Sequence, residues 1–148
     1  MSLDVWLTLE GALIDHPPRI SIREGGQNKE INRAEWDRRY PDREPVTMAG
    51  EASDTVYAAN ITHNLNQMAD EAMLYNCLWR PDEHGIERAE QLIEPLASGI
   101  ARLMNDPDHY CAFNPTNKWG DYGGLLRFAM DYLAACKRYP SARVHVSR

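Results

Sequence analysis

The sequence has few of the features that mark a well-known class of protein. It contains three cysteines in 148 residues, and Cys77, Cys111 and Cys136 form no C-x-x-C pair and no zinc-type spacing with a histidine. This excludes a disulfide-rich secreted scaffold and a zinc module. We therefore expect no metal and no other cofactor, and a reducing cytosol is the compartment that fits.

Long apolar runs are also missing, and no stretch is long enough to cross a bilayer. The start of the chain, MSLDVWLTLEG, has neither the basic residues nor the small-residue cleavage site of a signal peptide. We therefore expect a soluble, non-secreted protein with no membrane partner.

No dense patch of one charge is present either. The net charge is −6, from 22 acidic and 16 basic residues, and both signs are interleaved along the chain. Neither a polybasic face for nucleic acids nor the carboxylate rows of a DNA mimic is visible. Direct binding of nucleic acid is therefore not expected.

Strand-like segments dominate the first part of the chain. Residues 4–10 and 19–24 alternate apolar and polar side chains, which is the period of a half-buried strand. Residues 54–61 are rich in β-branched and aromatic side chains, and residues 142–148 alternate again around Val144. The sequence predicts three or four strands, one of them at the extreme C-terminus.

The apolar period changes to that of a helix after Thr62. A first helix is predicted from there to Pro81, and a second has its apolar stripe over residues 86–104 with a bend at Pro95. The stripe of a third helix covers residues 125–136, and the segment between the last two helices is predicted to be a loop.

This order predicts one α+β domain over residues 1–148: a small, mostly antiparallel sheet of three to four strands with three helices packed on one face. Residues 25–45 hold five basic and five acidic residues and are predicted to be a charged excursion from the sheet. A short helix around Arg33 to Arg39, anchored by Trp36, fits within it. The edges of such a sheet favour a homodimer.

The first candidate site is the polar stretch around Thr62, which immediately precedes a helix and is placed to cap it. A helix start offers unpaired N–H groups and partial positive charge to a phosphate or carboxylate. The neighbouring amide and imidazole side chains of Asn60, His63 and Asn64 could hydrogen-bond a base or a sugar. On the structural interpretation, Thr62 only caps the helix and its neighbours are solvated.

A second candidate is NKWGDY, where Trp119 lies in a loop, Asp121 is placed to cap the third helix, and Tyr122 follows. An indole and a tyrosine near a helix start make a stacking surface for a nucleobase, whereas the structural interpretation makes Trp119 a lid over the core. The two helix starts can share a ligand if the first and third helices are neighbours. The predicted ligand-binding residues are Asn60, Thr62, His63, Asn64, Trp119 and Tyr122, with no catalytic residue and no metal ligand among them.

Four motifs, taken in order, carry a resemblance. They are NITHNL..MA after a strand, LY..LWRP, a helix of the A..LI..L..GI..L type, and WGDY..L..F...YL.AC before a final strand. In this the chain resembles a group of small uncharacterised proteins found on bacteriophages and other mobile elements. The likeness covers roughly Thr55 to Arg148 and the first strand, while Gly25 to Pro45 departs from it and looks like an insertion. It implies a phage protein acting in the cytosol of a bacterial host, and no catalytic residue carries over.

Three functional hypotheses follow. The favoured one is a phage-type accessory protein that binds a host-derived ligand, an anti-defence protein that sequesters a small nucleotide-like signalling molecule. The second is a protein–protein inhibitor of a bacterial defence complex, in which Trp36, Tyr40 and several arginines between Gly25 and Pro45 supply the contact surface. A small hydrolase with His63 as general base is the third, although the sequence offers it no partner nucleophile.

Overall fold

A computed structural model describes residues 2–12, 19–45, 47–48 and 53–148 of the chain. All four predicted strands are present, each within about two residues of its expected bounds, and the described residues add two further strands. The strands are β1 (Ser2–Thr8), β2 (Arg19–Glu24), β3 (Gln27–Ile31), β4 (Thr47–Met48), β5 (Thr55–Thr62) and β6 (Arg143–Ser147).

The first sheet has the order β5-β1-β6, and both pairings are antiparallel. Val5 at the middle of β1 lies opposite Ala59 on one side and Val146 on the other. Leu3, Val5 and Leu7 are buried, as the alternation in β1 predicts. This sheet is the structural base on which the helices pack.

A second, smaller sheet has the order β3-β2-β4. Gly25 and Gly26 join β2 to β3 with φ values of +60° and +78°, which is the conformation of a two-residue hairpin turn that glycine adopts without strain. The prediction of one sheet is therefore wrong in this respect, because β2 pairs with β3 and β4 and not with β1. The α+β class itself is confirmed.

The helices are more numerous than predicted. The described residues contain six α-helices, where three helices on the sheet and the short helix around Arg33 to Arg39 were expected, together with two 3-10 turns at His63–Leu65 and Pro81–His84. The α-helices are α1 (Arg33–Arg39), α2 (Asn66–Glu71), α3 (Tyr75–Trp79), α4 (Glu90–Asn105), α5 (Pro107–Cys111) and α6 (Tyr122–Arg138). None of the helices in the described part of the chain is both long and apolar enough to cross a membrane.

The predicted first helix is broken at Met73, which has a left-handed backbone with φ of +59°. The N–H of Leu74 donates to the carbonyl of Ala69 at 2.7 Å, and the N–H of Met73 donates to the carbonyl of Asp70 at 2.9 Å. These two bonds form a Schellman motif that ends α2, although the motif usually has glycine at this position. The apolar spacing continues across the break because Leu74 is turned into the core.

Met73→Gly is therefore expected to stabilise the protein by about 0.5–1 kcal/mol. The gain comes from relief of the left-handed conformation, reduced by the larger entropy of glycine in the unfolded chain. The Met73 side chain is 67% exposed, so little packing is lost. Urea unfolding should show a higher midpoint for Met73→Gly and a lower one for Ala101→Gly, an exposed position in the interior of α4. Equal destabilisation by both changes would contradict this account.

The main core lies between the first sheet and the helices, and it includes Leu3, Trp79, Leu96 and Tyr132. Helices α2 to α6 all contribute buried residues to this core on the Leu3, Val5 and Leu7 face of the sheet, as predicted, whereas α1 contributes none. Ile20 and Ile31 are also buried, but they lie opposite each other in the second sheet and outside this core cluster. The hairpin of residues 19–31 therefore has its own small apolar contact.

The charged segment contains β3 and the predicted short helix α1. No residue of α1 is buried. Asn32 caps α1 by accepting from the N–H of Glu35 at 2.7 Å. The indole N–H of Trp36 donates to the carbonyl of Arg43 at 2.7 Å and its ring lies 4.6 Å from that of Tyr40, so Trp36 anchors the segment as expected.

Candidate functional site

The two predicted helix starts are neighbours in the fold. A Cβ placed on Gly120 would lie 2.7 Å from Cγ2 of Thr62 and 3.0 Å from Cδ1 of Leu65. The loop before α6 therefore packs directly against the turn that follows β5. The two helix starts are therefore close enough in the fold to contact one ligand.

Both capping side chains are engaged in local structure. The Thr62 hydroxyl accepts from the N–H of Asn64 at 3.3 Å, and the residue is only 5% exposed. Asp121 Oδ1 accepts from the N–H of Gly124 at 2.7 Å. The predicted caps are confirmed, although Thr62 caps a 3-10 turn and not an α-helix.

His63 has a structural partner that the sequence did not indicate. Its Nδ1 accepts from the indole N–H of Trp79 at 3.0 Å, and Trp79 is 2% exposed. Since Nδ1 is the acceptor, the proton of the neutral imidazole lies on Nε2, which is itself buried with no hydrogen-bond partner among the described residues. The nitrogen that a general base would use is thus occupied by Trp79.

His63→Ala is therefore expected to destabilise the protein by about 1–3 kcal/mol, because the buried Trp79 N–H would lose its acceptor. Asn64→Ala, next along the chain and exposed, is the control and should change stability by less than about 0.5 kcal/mol. Thermal unfolding of both variants measures the difference. An unchanged midpoint for His63→Ala would show that water replaces the imidazole without cost.

Tyr122 is also held by the fold. Its hydroxyl donates to the carbonyl of Leu103 at 2.7 Å, and its backbone N–H donates to Oδ1 of Asn114 at 2.8 Å. Tyr122 thus ties the start of α6 to α4. Its ring is half-buried, and a stacking role for it would compete with these bonds.

Trp119, in contrast, is 46% exposed. The Arg23 guanidinium carbon lies 5.5 Å from the centre of the indole, within cation–π range. A Cβ on Gly26, at the turn of the hairpin, would lie 3.3 Å from Cε3 of Trp119. The indole therefore contacts the turn between β2 and β3 and keeps an exposed surface.

An open groove of about 930 Å³ lies between the two sheets and α6. We call it the inter-sheet groove. Residues 55–60 of β5 form one wall, and the hairpin and α6 form the others. Its polar lining comes from Asp4, Arg19, Ser21, Gln27, Asn28, Glu30, Ser53, Thr55, Tyr57, Asn60, Arg127 and Asp131.

Of the predicted site residues, only some lie at this groove. Asn60 lines it, and its amide donates to Oδ1 of Asp4 at 2.6 Å. Trp119 is not one of the lining residues; it contacts Gly26 at the hairpin turn, and the next residue, Gln27, lines the groove. Thr62, His63 and Tyr122 make the structural bonds described above. The side chain of Asn64 is exposed beside the Thr62 turn.

The groove wall formed by β5 is a free sheet edge. β5 is the outer strand of the order β5-β1-β6, and within the described residues it pairs only with β1. Six consecutive residues of this strand, 55–60, line the groove. Backbone N–H and C=O groups of an edge strand are available to hydrogen-bond an incoming molecule.

The charges in the groove are mixed. Arg19 and Glu30 form an ion pair at 3.8 Å across the hairpin. Arg127 and Asp131 are one turn apart on α6, and no ion pair involves either of them within the described part of the chain. Burial, and secondarily the Asp131 carboxylate, raises the pKa of the Tyr57 phenol, which therefore stays neutral as a hydrogen-bonding hydroxyl.

Sequence reasoning missed Arg127, Asp131, Ser21 and Asn28. Arg127 and Asp131 lie on the polar side of α6, where charged residues usually only solvate a helix. Ser21 and Asn28 belong to the hairpin, whose packing beside β5 depends on residues far apart in the chain. No signal in the sequence distinguishes these four residues from ordinary surface residues.

A smaller cavity of about 400 Å³ lies beside β6. Its polar groups already have partners: Arg148 Nη1 donates to Oδ1 of Asp82 at 2.9 Å, and His145 Nε2 is 2.8 Å from the Thr8 hydroxyl. The ring of His145 stacks on Trp6 at 5.2 Å, and burial lowers the pKa of the imidazole, with Arg143 adding to the effect. This cavity is therefore a weaker candidate than the inter-sheet groove.

The described residues contain no cluster of three or more histidine, cysteine, aspartate or glutamate side chains that could hold a metal ion. Fold and groove together define a small α+β domain with a polar cleft between its two sheets. Comparisons with family models, with curated proteins and with solved structures found no match to the chain.

Proposed function

We propose that the protein is a non-enzymatic binding protein that holds a small polar, nucleotide-like molecule in the inter-sheet groove. In the phage context that the motif resemblance implies, it is an accessory protein that sequesters a host-derived signalling molecule. The observation that carries the proposal is the groove itself, where polar side chains from two sheets and α6 converge beside the free edge of β5.

The size and chemistry of the groove support this proposal. Its volume of about 930 Å³ suits a small organic ligand, since such sites measure about 300–1,000 Å³. The amides of Asn28 and Asn60 both donate and accept, as recognition of a base or sugar requires. Arg127 offers a planar guanidinium to a phosphate or carboxylate, and Trp119 offers a stacking surface at the hairpin end.

Binding is favoured over catalysis by the composition of the groove. Its described lining holds guanidinium, carboxylate, amide and hydroxyl groups, without histidine or cysteine. His63, the base of the hydrolase hypothesis, bonds Trp79 through the nitrogen that it would need. The geometry therefore gives the hydrolase hypothesis no support.

Arg127→Gln is expected to weaken binding of a nucleoside monophosphate about 10- to 100-fold, because a hydrogen bond to a charged group contributes about 1.5–3 kcal/mol. Isothermal titration measures the change. Arg138→Gln, at the end of the same helix and against Tyr139, is the matched control and should leave affinity unchanged.

Native mass spectrometry of protein purified from phage-infected cells should also show a bound small mass. Loss of affinity in both variants, or no bound molecule in either experiment, would contradict the proposal.

The second candidate function is inhibition of a host defence protein through the charged segment. It is favoured by α1, which has no buried residue and presents Arg38 with its side chain 76% exposed. Deletion of residues 30–43 would remove Ile31 from the second sheet, so Arg38→Glu is the better test. This change should abolish capture of the partner and leave small-molecule binding intact. If Arg38→Glu leaves capture of the partner intact and abolishes small-molecule binding, the inhibitor hypothesis fails and the groove is favoured.

A further inference from the structure

We infer that the inter-sheet groove selects a nucleoside-type ligand carrying at most one phosphate, recognised through its sugar hydroxyls as well as its base. This inference rests on the proposed function and names the class of ligand for the same site. It excludes the polyphosphates and cyclic dinucleotides that a general nucleotide site would accept.

The first argument is the charge of the groove. Among the described residues, its lining contains three carboxylates, Asp4, Glu30 and Asp131, and two guanidinium groups, Arg19 and Arg127. Arg19 is already paired with Glu30 at 3.8 Å. One cation thus faces two carboxylates, and a ligand with several negative charges would be repelled more than it is attracted.

The second argument is what the two carboxylates can bind. Ionised carboxylates only accept hydrogen bonds, so they require a donor from the ligand. Asp4 takes the Asn60 amide on Oδ1 at 2.6 Å, and its other oxygen remains an acceptor. Vicinal hydroxyls of a ribose are donors of this kind, and an acidic side chain is a common partner of a ribose 2′-hydroxyl.

The third argument is the spacing on α6. Asp131 follows Arg127 by four residues, so the two lie on the same side of the helix about 6 Å apart along its axis. Both line the groove. One nucleoside monophosphate can therefore place its phosphate at Arg127 and a sugar hydroxyl at Asp131. Its base is then directed toward Asn28 and Asn60 on the opposite walls.

The experiment is titration of the intact protein with adenosine, its 2′,3′-dideoxy form, AMP and ATP at constant ionic strength, repeated with the guanine and uracil series. AMP should bind at least tenfold more tightly than ATP, and removal of both hydroxyls should cost at least tenfold relative to adenosine. Asp131→Asn should weaken adenosine binding about tenfold and strengthen ATP binding. Asp108→Asn, an exposed position on α5 outside the groove lining, makes the same change in net charge and should do neither.

The outcomes separate the two levels of the proposal. If ATP is the tightest ligand and its affinity depends on Arg127, the groove binds nucleotides but the inference about charge and hydroxyls is wrong. Equal effects of Asp131→Asn and Asp108→Asn would also overturn it. If no compound in the three series binds at millimolar concentration, the proposed function itself fails and the inference falls with it.

Discussion

Replacing Gly99 by valine is expected to lower the free energy of unfolding by about 3 kcal/mol, the upper end of the cost of overpacking a well-packed core. Gly99 lies in α4, and a Cβ at this position would overlap Cγ and Cδ2 of Leu74. Leu74 is fully buried, so its side chain has no free space into which to move. For a chain of this length the melting temperature should fall by roughly 6–12 °C.

Gly123, on the exposed side of the first turn of α6, is the control. A Cβ there would meet only Oδ1 of Asp121 at 3.6 Å, an ordinary contact. Gly123→Ala should therefore preserve stability or raise it slightly, since alanine is the better helix former. Urea unfolding measures both variants. A Gly99→Val protein with the wild-type midpoint would mean that Leu74 does not pack closely against Gly99 of α4.

Gly120→Ala is expected to destabilise the protein by about 2–5 kcal/mol for two separate reasons. Gly120 has φ of +91°, which costs a residue with a side chain about 1–2 kcal/mol. The added Cβ would also lie 2.7 Å from Cγ2 of the buried Thr62, so one backbone segment must move, at an overpacking cost of about 1–3 kcal/mol. Because Trp119 precedes this residue and contacts Gly26, ligand affinity should fall with stability.

Gly85→Ala separates the two reasons. Gly85 also has a positive φ, +70°, but a Cβ there would have no neighbour within 4 Å. Gly85→Ala should therefore lose only the stability that a left-handed backbone costs alanine, about 1–2 kcal/mol, and ligand affinity should be unaffected. Differential scanning calorimetry compares the two variants. If both lose the same stability, the close packing of Gly120 on Thr62 makes no contribution.

Several features of the fold follow from local chemistry and could be predicted. The alternation in β1 places Leu3, Val5 and Leu7 on one face because successive strand residues point in opposite directions. Thr62 and Asp121 cap the elements that follow them because short polar side chains can reach unpaired N–H groups. The short helix around Arg33 to Arg39 was also predicted, with Trp36 as its anchor, and α1 confirms it.

Other elements gave no local signal. Strand β3 is polar on both faces, with only Ile31 buried, so no period of two was visible. The break at Met73 lacks the glycine that usually marks a helix end, and Leu74 continues the apolar pattern across it. Tertiary packing decides both cases: β3 forms by pairing with β2, and Leu74 is directed into the core against Gly99.

The candidate site shows the same division. The sequence by itself determined that Asn60 and Thr62 lie near the end of a strand and that Trp119 lies in the loop before a helix, because strand and helix boundaries depend on neighbouring residues. Only the tertiary structure decided that Asn60 faces Arg127 and Asp131 across a groove, and that His63 bonds Trp79 sixteen residues later. These contacts depend on how the hairpin, β5 and α6 pack together, and packing between segments distant in the chain leaves no periodic trace in the sequence.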